Sequence, residues 1–360
     1  MRLRRLEQWW RRVWIRLLVG VMRRPHGARP DWGSRPFRVL FLRHDRAGDM
    51  ILSTGVMRAI ARSSSTITLD VLASPANASI LDANDHVGDV IVFDKKKLAS
   101  YVPTALRLRR ARYDAVIDCM VTAPSVTTLL LILASGARHR IGIAGRGNDA
   151  AFNILVPTTV ATDAHMVDRI ADLAQAFDVV LDTAMRRPVL ALTSPERARA
   201  ESAWGESAAG RRVLINVSAG TSERVWSEDN YVAVMHHCRA AEPTTIVRII
   251  AAPSEQARGE RIARGGGGSL VPTPNIRDAL ALVATADFVL TPDTSIAHAA
   301  SAFQRPSVVL FVRGKSERWG LYGTIGENVE HSEPTLDSLS VGRVTDAIDR
   351  VTAIALVTRG

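Results

Sequence analysis

Two strand-to-helix turns carry the residues whose types and spacing suit chemistry. One is Asp293-Thr294-Ser295-Ile296-Ala297-His298, which follows the apolar run Phe288-Val289-Leu290 and opens the small-residue stretch Ala299-Ala300-Ser301-Ala302. The first backbone N–H groups of a helix have no intrahelical partner and sit at the positive end of its dipole, so such a turn suits an anion. Thr294 or Ser295 adds a hydroxyl donor, and His298 falls one turn beyond Thr294 on the same face. An ordinary N-cap with a core histidine uses the same residues. The other turn is Arg43-His44-Asp45-Arg46-Ala47-Gly48-Asp49, between the strand-like Val39-Leu40-Phe41-Leu42 and a helical pattern from Met50. Gly48 lets the backbone turn sharply or approach a ligand closely. Asp49 falls at the cap or in the first turn, where the dipole favours a carboxylate. It is either a plain N-cap or a carboxylate placed to accept a proton.

A third motif lies between them: Ile215-Asn216-Val217-Ser218-Ala219-Gly220, then Arg224-Val225-Trp226. The three motifs, with the later Arg318-Trp319-Gly320, resemble glycosyltransferase family 9, the heptosyltransferases of lipopolysaccharide core assembly. The likeness runs from about residue 37 to 355. It departs at Arg224, where that family usually has lysine, and at Ser295, where it usually has glycine. The resemblance implies an inverting, metal-independent transfer of a sugar, a heptose from ADP-heptose, to a lipid-linked saccharide. Asp49 is then the catalytic base. Ala219, Gly220, Arg224, Glu255, Asp293, Thr294, Ser295 and His298 serve the donor, with Glu255 at a position that contacts its nucleoside or sugar. Arg43, Asp45, Arg46 and Gly48 lie on the acceptor side. No metal site is expected, and no cofactor beyond the nucleotide-sugar co-substrate. The chain has no Asp-x-Asp pair to hold a nucleotide-bound cation, so positive protein groups must stabilise the departing diphosphate. Two other classes fit part of this pattern: a sugar-nucleotide enzyme of epimerase type, and a non-catalytic membrane-associated sugar-nucleotide binder. Asp49 discriminates, because a binder needs no base there.

Elements that alternate strand and helix must position these turns, as in a doubly wound α/β protein. Strands are expected near 38–43, 67–73, 89–93, 114–118 and 138–142, then near 212–217, 245–251, 287–290 and 307–311. Helices are expected near 50–62, 75–83, 97–111, 123–134 and 163–178, then near 228–241, 254–264, 276–285 and 295–303. A last helix near 338–356 is expected to pack back on the first domain. The expected fold is GT-B, two Rossmann-like domains facing across a cleft. The divisions are a basic amphipathic helix and linker over 1–36, an acceptor domain over 37–185, a linker over 186–210 and a sugar-nucleotide domain over 211–360. Ligands in such sheets bind at the carboxyl ends of the strands, where both turns fall.

The length of 360 residues suits two domains, and 47% hydrophobic with 23% charged residues marks a globular chain. Cys119 and Cys238 stand alone, which points to a reducing compartment. The net charge of +10 is local: nine arginines against Glu7 put +8 of it in residues 1–30. No nucleic-acid motif accompanies that charge, so a nucleic-acid partner is not expected. Leu3, Leu6, Trp10, Val13, Trp14, Leu17 and Val21 recur at helical spacing, with arginines on the opposite side. This reads as a helix lying on an anionic leaflet, or one docked on the protein's own surface. Arginines interrupt it too often for a membrane span or a signal peptide. The expected location is cytoplasmic, peripheral to the inner leaflet of the cytoplasmic membrane. No Gly-x-Gly-x-x-Gly follows the first strand. Gly314-Lys315-Ser316 lacks the first glycine of a P-loop, since Val309 stands there. His236-His237-Cys238 point in different directions on a helix and make a poor metal site.

Overall fold

The computed structural model describes residues 2–205 and 210–359, with the side chains of residues 2–8, 11 and 359 outside the described set. The chain divides into two compact units, Met1–Arg186 and Arg187–Gly360.

The first unit is built on β1 (Phe37–Arg43), β2 (Ile67–Ala73), β3 (Val90–Val92), β4 (Ala115–Asp118), β5 (His139–Ile143) and β6 (Ile154–Val156). They form a parallel sheet in the order β3-β2-β1-β4-β5-β6, with Val39 opposite Ala115 across β1 and β4. The runs of Val, Ile, Leu and Phe are buried on both faces, as parallel strands covered by helices must be. Its helices are α1 (Arg2–Met22), α2 (Ala47–Ser63), α3 (Tyr101–Ala111), α4 (Val126–Ser135), α5 (Met166–Ala171) and α6 (Thr183–Arg186). Helix α2 packs with α5 on one side of the sheet, and α4 packs with α1 and α3 on the other. The expected helix over 75–83 is only a 3₁₀ turn, Ala78–Leu81, and that over 163–178 is α5 followed by a 3₁₀ stretch, Asp172–Phe177.

The second unit contains α7 (Ser194–Trp204), β7 (Arg212–Asn216), α8 (Glu228–Ala241), β8 (Ile246–Ile250), α9 (Gln256–Gly265), β9 (Ser269–Leu270) and α10 (Ile276–Thr285). It continues with β10 (Phe288–Pro292), α11 (Ser295–Ala302), β11 (Ser307–Phe311), α12 (Ser316–Trp319), β12 (Gly326–Glu330) and α13 (Val341–Arg359). Its parallel sheet runs β12-β11-β10-β7-β8-β9, with Val289 opposite Leu214. Both sheets therefore reverse strand order at one point, between β1 and β4 and between β7 and β10. A doubly wound sheet opens a crevice at that point. The two motif turns follow β1 and β10.

Three regions carry detail beyond the strand-helix alternation. The last helix, α13, belongs to the second unit. Val344, Ala347, Ile348 and Val351 recur at helical spacing and join Trp226, Leu336 and Leu310 in the second unit's own core. Within the segment over 186–210 lies α7, opened by a Thr193–Glu196 capping box. Its Trp204 is buried and donates its indole N–H to Thr285 Oγ1 at 2.9 Å, which ties α7 to α10. Residues 206–209 of that segment lie outside the described residues.

The third region is α1. Ile15, Leu18, Val19 and Met22 pack against the first unit's core, while Trp10, Trp14, Leu17 and Val21 stay exposed. The helix thus docks by a different edge from the apolar stripe expected for it. The stretch after it is anchored too. The Gly27 N–H donates to Asn153 O at 2.9 Å, and Trp32 is buried with its indole N–H on Ala176 O at 2.9 Å. Leu3 and Leu6 of the expected stripe lie outside the described side chains. Among the described residues no helix is long and apolar enough to cross a membrane.

Candidate active site

At the first switch point the chain leaves β1 through Arg43, which is buried at 2% exposure. Its guanidinium Nη1 donates to Cys119 O at 2.7 Å, and Nε donates to Asp49 O at 3.1 Å. Nη2 lies 3.3 Å from Asp49 Oδ1, and Nε lies 3.4 Å from Asp45 Oδ1. Burial opposes the charge on Arg43, but Cys119, Asp45, Asp49 and Asp118 around it outweigh burial and raise its pKa. Arg43 is therefore a fixed cation beneath two carboxylates, and its geometry positions them rather than reaching a ligand.

Asp49 sits in the first turn of α2, with its side chain 17% exposed. Arg46 is the N-cap residue in extended backbone and makes no side-chain cap. Gly48 lies inside the helical first turn rather than at a left-handed bend. The chain turns through residues 44–46 instead, held by Asn77, whose Nδ2 donates to Arg43 O at 3.0 Å. Ser74 Oγ donates to Asp45 O at 3.0 Å. Burial, opposed by Arg43 and reinforced by Asp49, raises the Asp45 carboxyl.

Sequence reasoning missed two titratable neighbours. Asp118 ends β4, beside β1, and its Oδ1 accepts the Met120 N–H at 2.9 Å. Burial raises it to about 6, against that hydrogen bond and the charges of Arg43 and Arg146. His44 is buried, with Nε2 3.1 Å from Thr128 Oγ1. Burial and Lys95 lower it to about 4, so it is neutral near pH 7. The signal for Asp118 was a carboxylate at the end of an apolar strand adjacent to β1, readable only once strand order is known.

At the second switch point Asn216 ends β7 and gathers three groups. Its Nδ2 lies 2.9 Å from Thr291 Oγ1, 3.1 Å from Thr294 Oγ1 and 3.4 Å from Ser218 O. Thr294 caps α11 by accepting the Ile296 N–H at 3.3 Å, and Ser295 is the first helical residue. Arg224 reaches across to this turn. Nη1 donates to Asp293 O at 2.6 Å, and Nη2 lies 2.9 Å from Asp293 Oδ2. The result is a cation fixed at the head of α11 by an ion pair. Gly220, between Asn216 and Arg224, has φ +70°, a left-handed backbone that favours glycine.

A cavity of about 260 Å³ adjoins this turn. Asn216, Ser218, Thr294 and Ser295 line it, together with residues 250–253 after β8 and 273–276 before α10. The other expected donor residues lie outside that lining. Glu255 stands beside Arg258, 3.6 Å from Nη1. Arg258, which sequence reasoning missed, donates to Val217 O at 2.7 Å and to Trp226 O, so it holds the loop that carries Gly220 and Arg224. Its position in the first turn of α9 was the only signal. His298 is buried, its ring centroid 6.4 Å from that of Trp319. Among the described residues no group of three His, Cys, Asp or Glu could hold a metal ion. His237 Nε2 is 2.8 Å from Asp349 Oδ1, and Cys238 is buried.

Residues 104–343 match the family model of glycosyltransferase family 9 (heptosyltransferase). Solved structures show the same fold. A family 9 glycosyl transferase from Veillonella parvula is 14% identical, covering 89% of this chain and 98% of that one, with a TM-score of 0.78. The E. coli heptosyltransferase WaaC with ADP is 18% identical over 88% of this chain and 100% of that one, with a TM-score of 0.72. The E. coli ADP-heptose lps heptosyltransferase II is 18% identical over 90% and 100%, with a TM-score of 0.69. A search of curated proteins gives no match.

Proposed function

The chain belongs to glycosyltransferase family 9, the heptosyltransferase family, and on that premise we propose an inverting, metal-independent transfer of heptose from ADP-heptose to a lipid-linked saccharide such as lipopolysaccharide core. The class, a glycosyltransferase of GT-B fold, follows from the family and the paired parallel sheets.

The observation that carries the donor site is Arg224 locked to Asp293 at the head of α11, beside the cavity. Two of its donors are used on Asp293, and its side chain remains 25% exposed, which leaves guanidinium N–H groups for a phosphate. The diphosphate would meet these, the first N–H groups of α11 at Thr294 and Ser295, and the Ala219–Gly220 loop. Such fixed positive groups stabilise a leaving diphosphate as its charge grows. The cavity between residues 250–253 and 273–276 suits the nucleoside. The E. coli WaaC structures hold ADP and ADP-2-deoxy-2-fluoro heptose, which supports adenosine there.

Asp49 would accept the proton of the acceptor hydroxyl as that oxygen attacks the anomeric carbon. The C–O bond to the diphosphate breaks on the opposite face, and a single displacement inverts the centre. Arg43 holds Asp49 in position at the head of α2. The exposed Trp10, Trp14, Leu17 and Val21 of α1, with its arginines, support work beside an anionic membrane on a lipid-linked acceptor.

Thermal unfolding with a panel of sugar nucleotides tests the donor reading. At one hundred times its dissociation constant the right donor adds about 2.7 kcal/mol of stability. Stabilisation by uridine nucleotides but not adenosine ones would overturn the choice of base. No stabilisation by any sugar nucleotide would overturn the function.

A further inference from the structure

Helix α4 lies between α1 and α3 on one side of the first sheet, and the three form one layer. Each turns an apolar edge inward. Ile15, Leu18 and Met22 of α1, Leu129 and Ile132 of α4 and Leu108 of α3 enter one core. Each also turns apolar residues outward, away from that core. Beyond the α1 stripe, Leu130 and Leu133 of α4 are exposed, and so are Leu98, Val102 and Leu106 at four-residue spacing through the start of α3, Leu98 at 86%. Scattered exposed leucines are ordinary on a soluble protein. A run of them across three neighbouring helices is not, and marks an interaction face.

The charge around this face has one sign. Lys95, Lys96 and Lys97 precede Leu98 and are exposed, as are Arg107, Arg109 and Arg110 on α3 and Arg12 and Arg16 on α1. Glu7 is the only carboxylate in the sequences of the three helices. Asp94, next to Lys95, is engaged with Lys97 at 3.8 Å. Tryptophans, aliphatic side chains and unopposed cations on one face are the composition of an anionic bilayer interface.

Resting on the reading of a lipid-linked acceptor, we infer that the bilayer-docking surface is the outer face of the whole α1–α4–α3 layer, not α1 alone. In this arrangement Leu98 and Val102 enter the headgroup region while Lys95–Lys97 meet anionic lipid. Membrane contact is then rigidly built into the unit that carries Asp49, rather than tethered through a separate arm.

The test is co-sedimentation of the full chain with vesicles of equal parts phosphatidylglycerol and phosphatidylcholine, compared with phosphatidylcholine alone. All substituted residues are exposed, and circular dichroism checks their fold. Lys95→Ala/Lys96→Ala should lower partitioning to the anionic vesicles about 25-fold, at about fivefold per cation near the surface, and less at high salt. Leu98→Ser/Val102→Ser should lower it severalfold at any salt. Trp10→Ser/Trp14→Ser should weaken binding without abolishing it. If both α3 pairs sediment like the parent chain while the tryptophan pair loses all binding, α1 alone binds and the inference falls. It also falls if the parent ignores both vesicles and instead self-associates in a way that Val102→Asp reverses, because a second copy then covers the face. Vesicle binding without any donor-induced stabilisation would leave this surface standing and remove the proposed function.

Discussion

Asp118→Asn should make the protein more stable at high pH and change it little in acid. Asp118 is buried at the end of β4 with its pKa raised from 3.8 to about 6. Its folded-state pKa lies above its unfolded value, so the native state holds the extra proton. The associated stability is present below about pH 4 and lost as pH rises to about 6. Above that window both states are ionised, and the native one carries the cost of a buried carboxylate. Two pKa units correspond to about 3 kcal/mol at pH 8, falling to about 0.5 kcal/mol at pH 4. Asparagine keeps the acceptor for the Met120 N–H and never ionises. Urea unfolding of both proteins from pH 4 to pH 8 should give a stability difference that grows by about 2 kcal/mol in favour of the variant. A difference that is constant across that range, or that shrinks with pH, would refute the assignment of a strained carboxylate at this switch point.

Arg224→Ala should weaken donor binding roughly 10- to 100-fold, the range for a lost charge-assisted contact, as read by calorimetry. Arg224→Lys should recover part of it, since charge returns without the second donation to Asp293; equal binding by all three would remove Arg224 from the donor site. Gly220→Ala should cost about 1 kcal/mol through its φ of +70° alone, because nothing lies within 4 Å of the added Cβ. Thermal denaturation reads this, and a neutral or stabilising change would contradict it. Transfer should survive excess EDTA; loss in chelator restored by Mg²⁺ or Mn²⁺ would show that a cation holds the diphosphate.

The doubly wound architecture was legible because period and composition report it directly. Runs such as Phe37-Arg38-Val39-Leu40-Phe41 can only be buried strands, and β2 and α8 begin and end where the pattern does. The edge strands β6, β9 and β12 escaped. They are two to five residues long, and Gly326-Glu327-Asn328-Val329-Glu330 is polar because an edge is half solvated. The two turns were legible as strand-to-helix junctions, since caps and glycines are local. What surrounds them was not. Asp118, Asn77 and Arg258 reach the sites through strand order and long loops, which no local window contains. For α1 the helix was readable but its docked edge was not, because Ile15, Leu18 and Trp14, Leu17 are equally apolar and only the core they meet distinguishes them.

Asp49 is either a base or merely a carboxylate at the head of α2, and one substitution separates the two. Asp49→Asn retains the size and the acceptor near Arg43 while removing the proton acceptor. Single-turnover transfer from ADP-heptose to a soluble acceptor, measured beside donor affinity on the same protein, separates the two roles. Loss of a base should lower the rate at least about 100-fold with donor affinity unchanged within about twofold. Transfer at near the parental rate would contradict it and leave Asp49 as the partner that Arg43 holds at the head of α2.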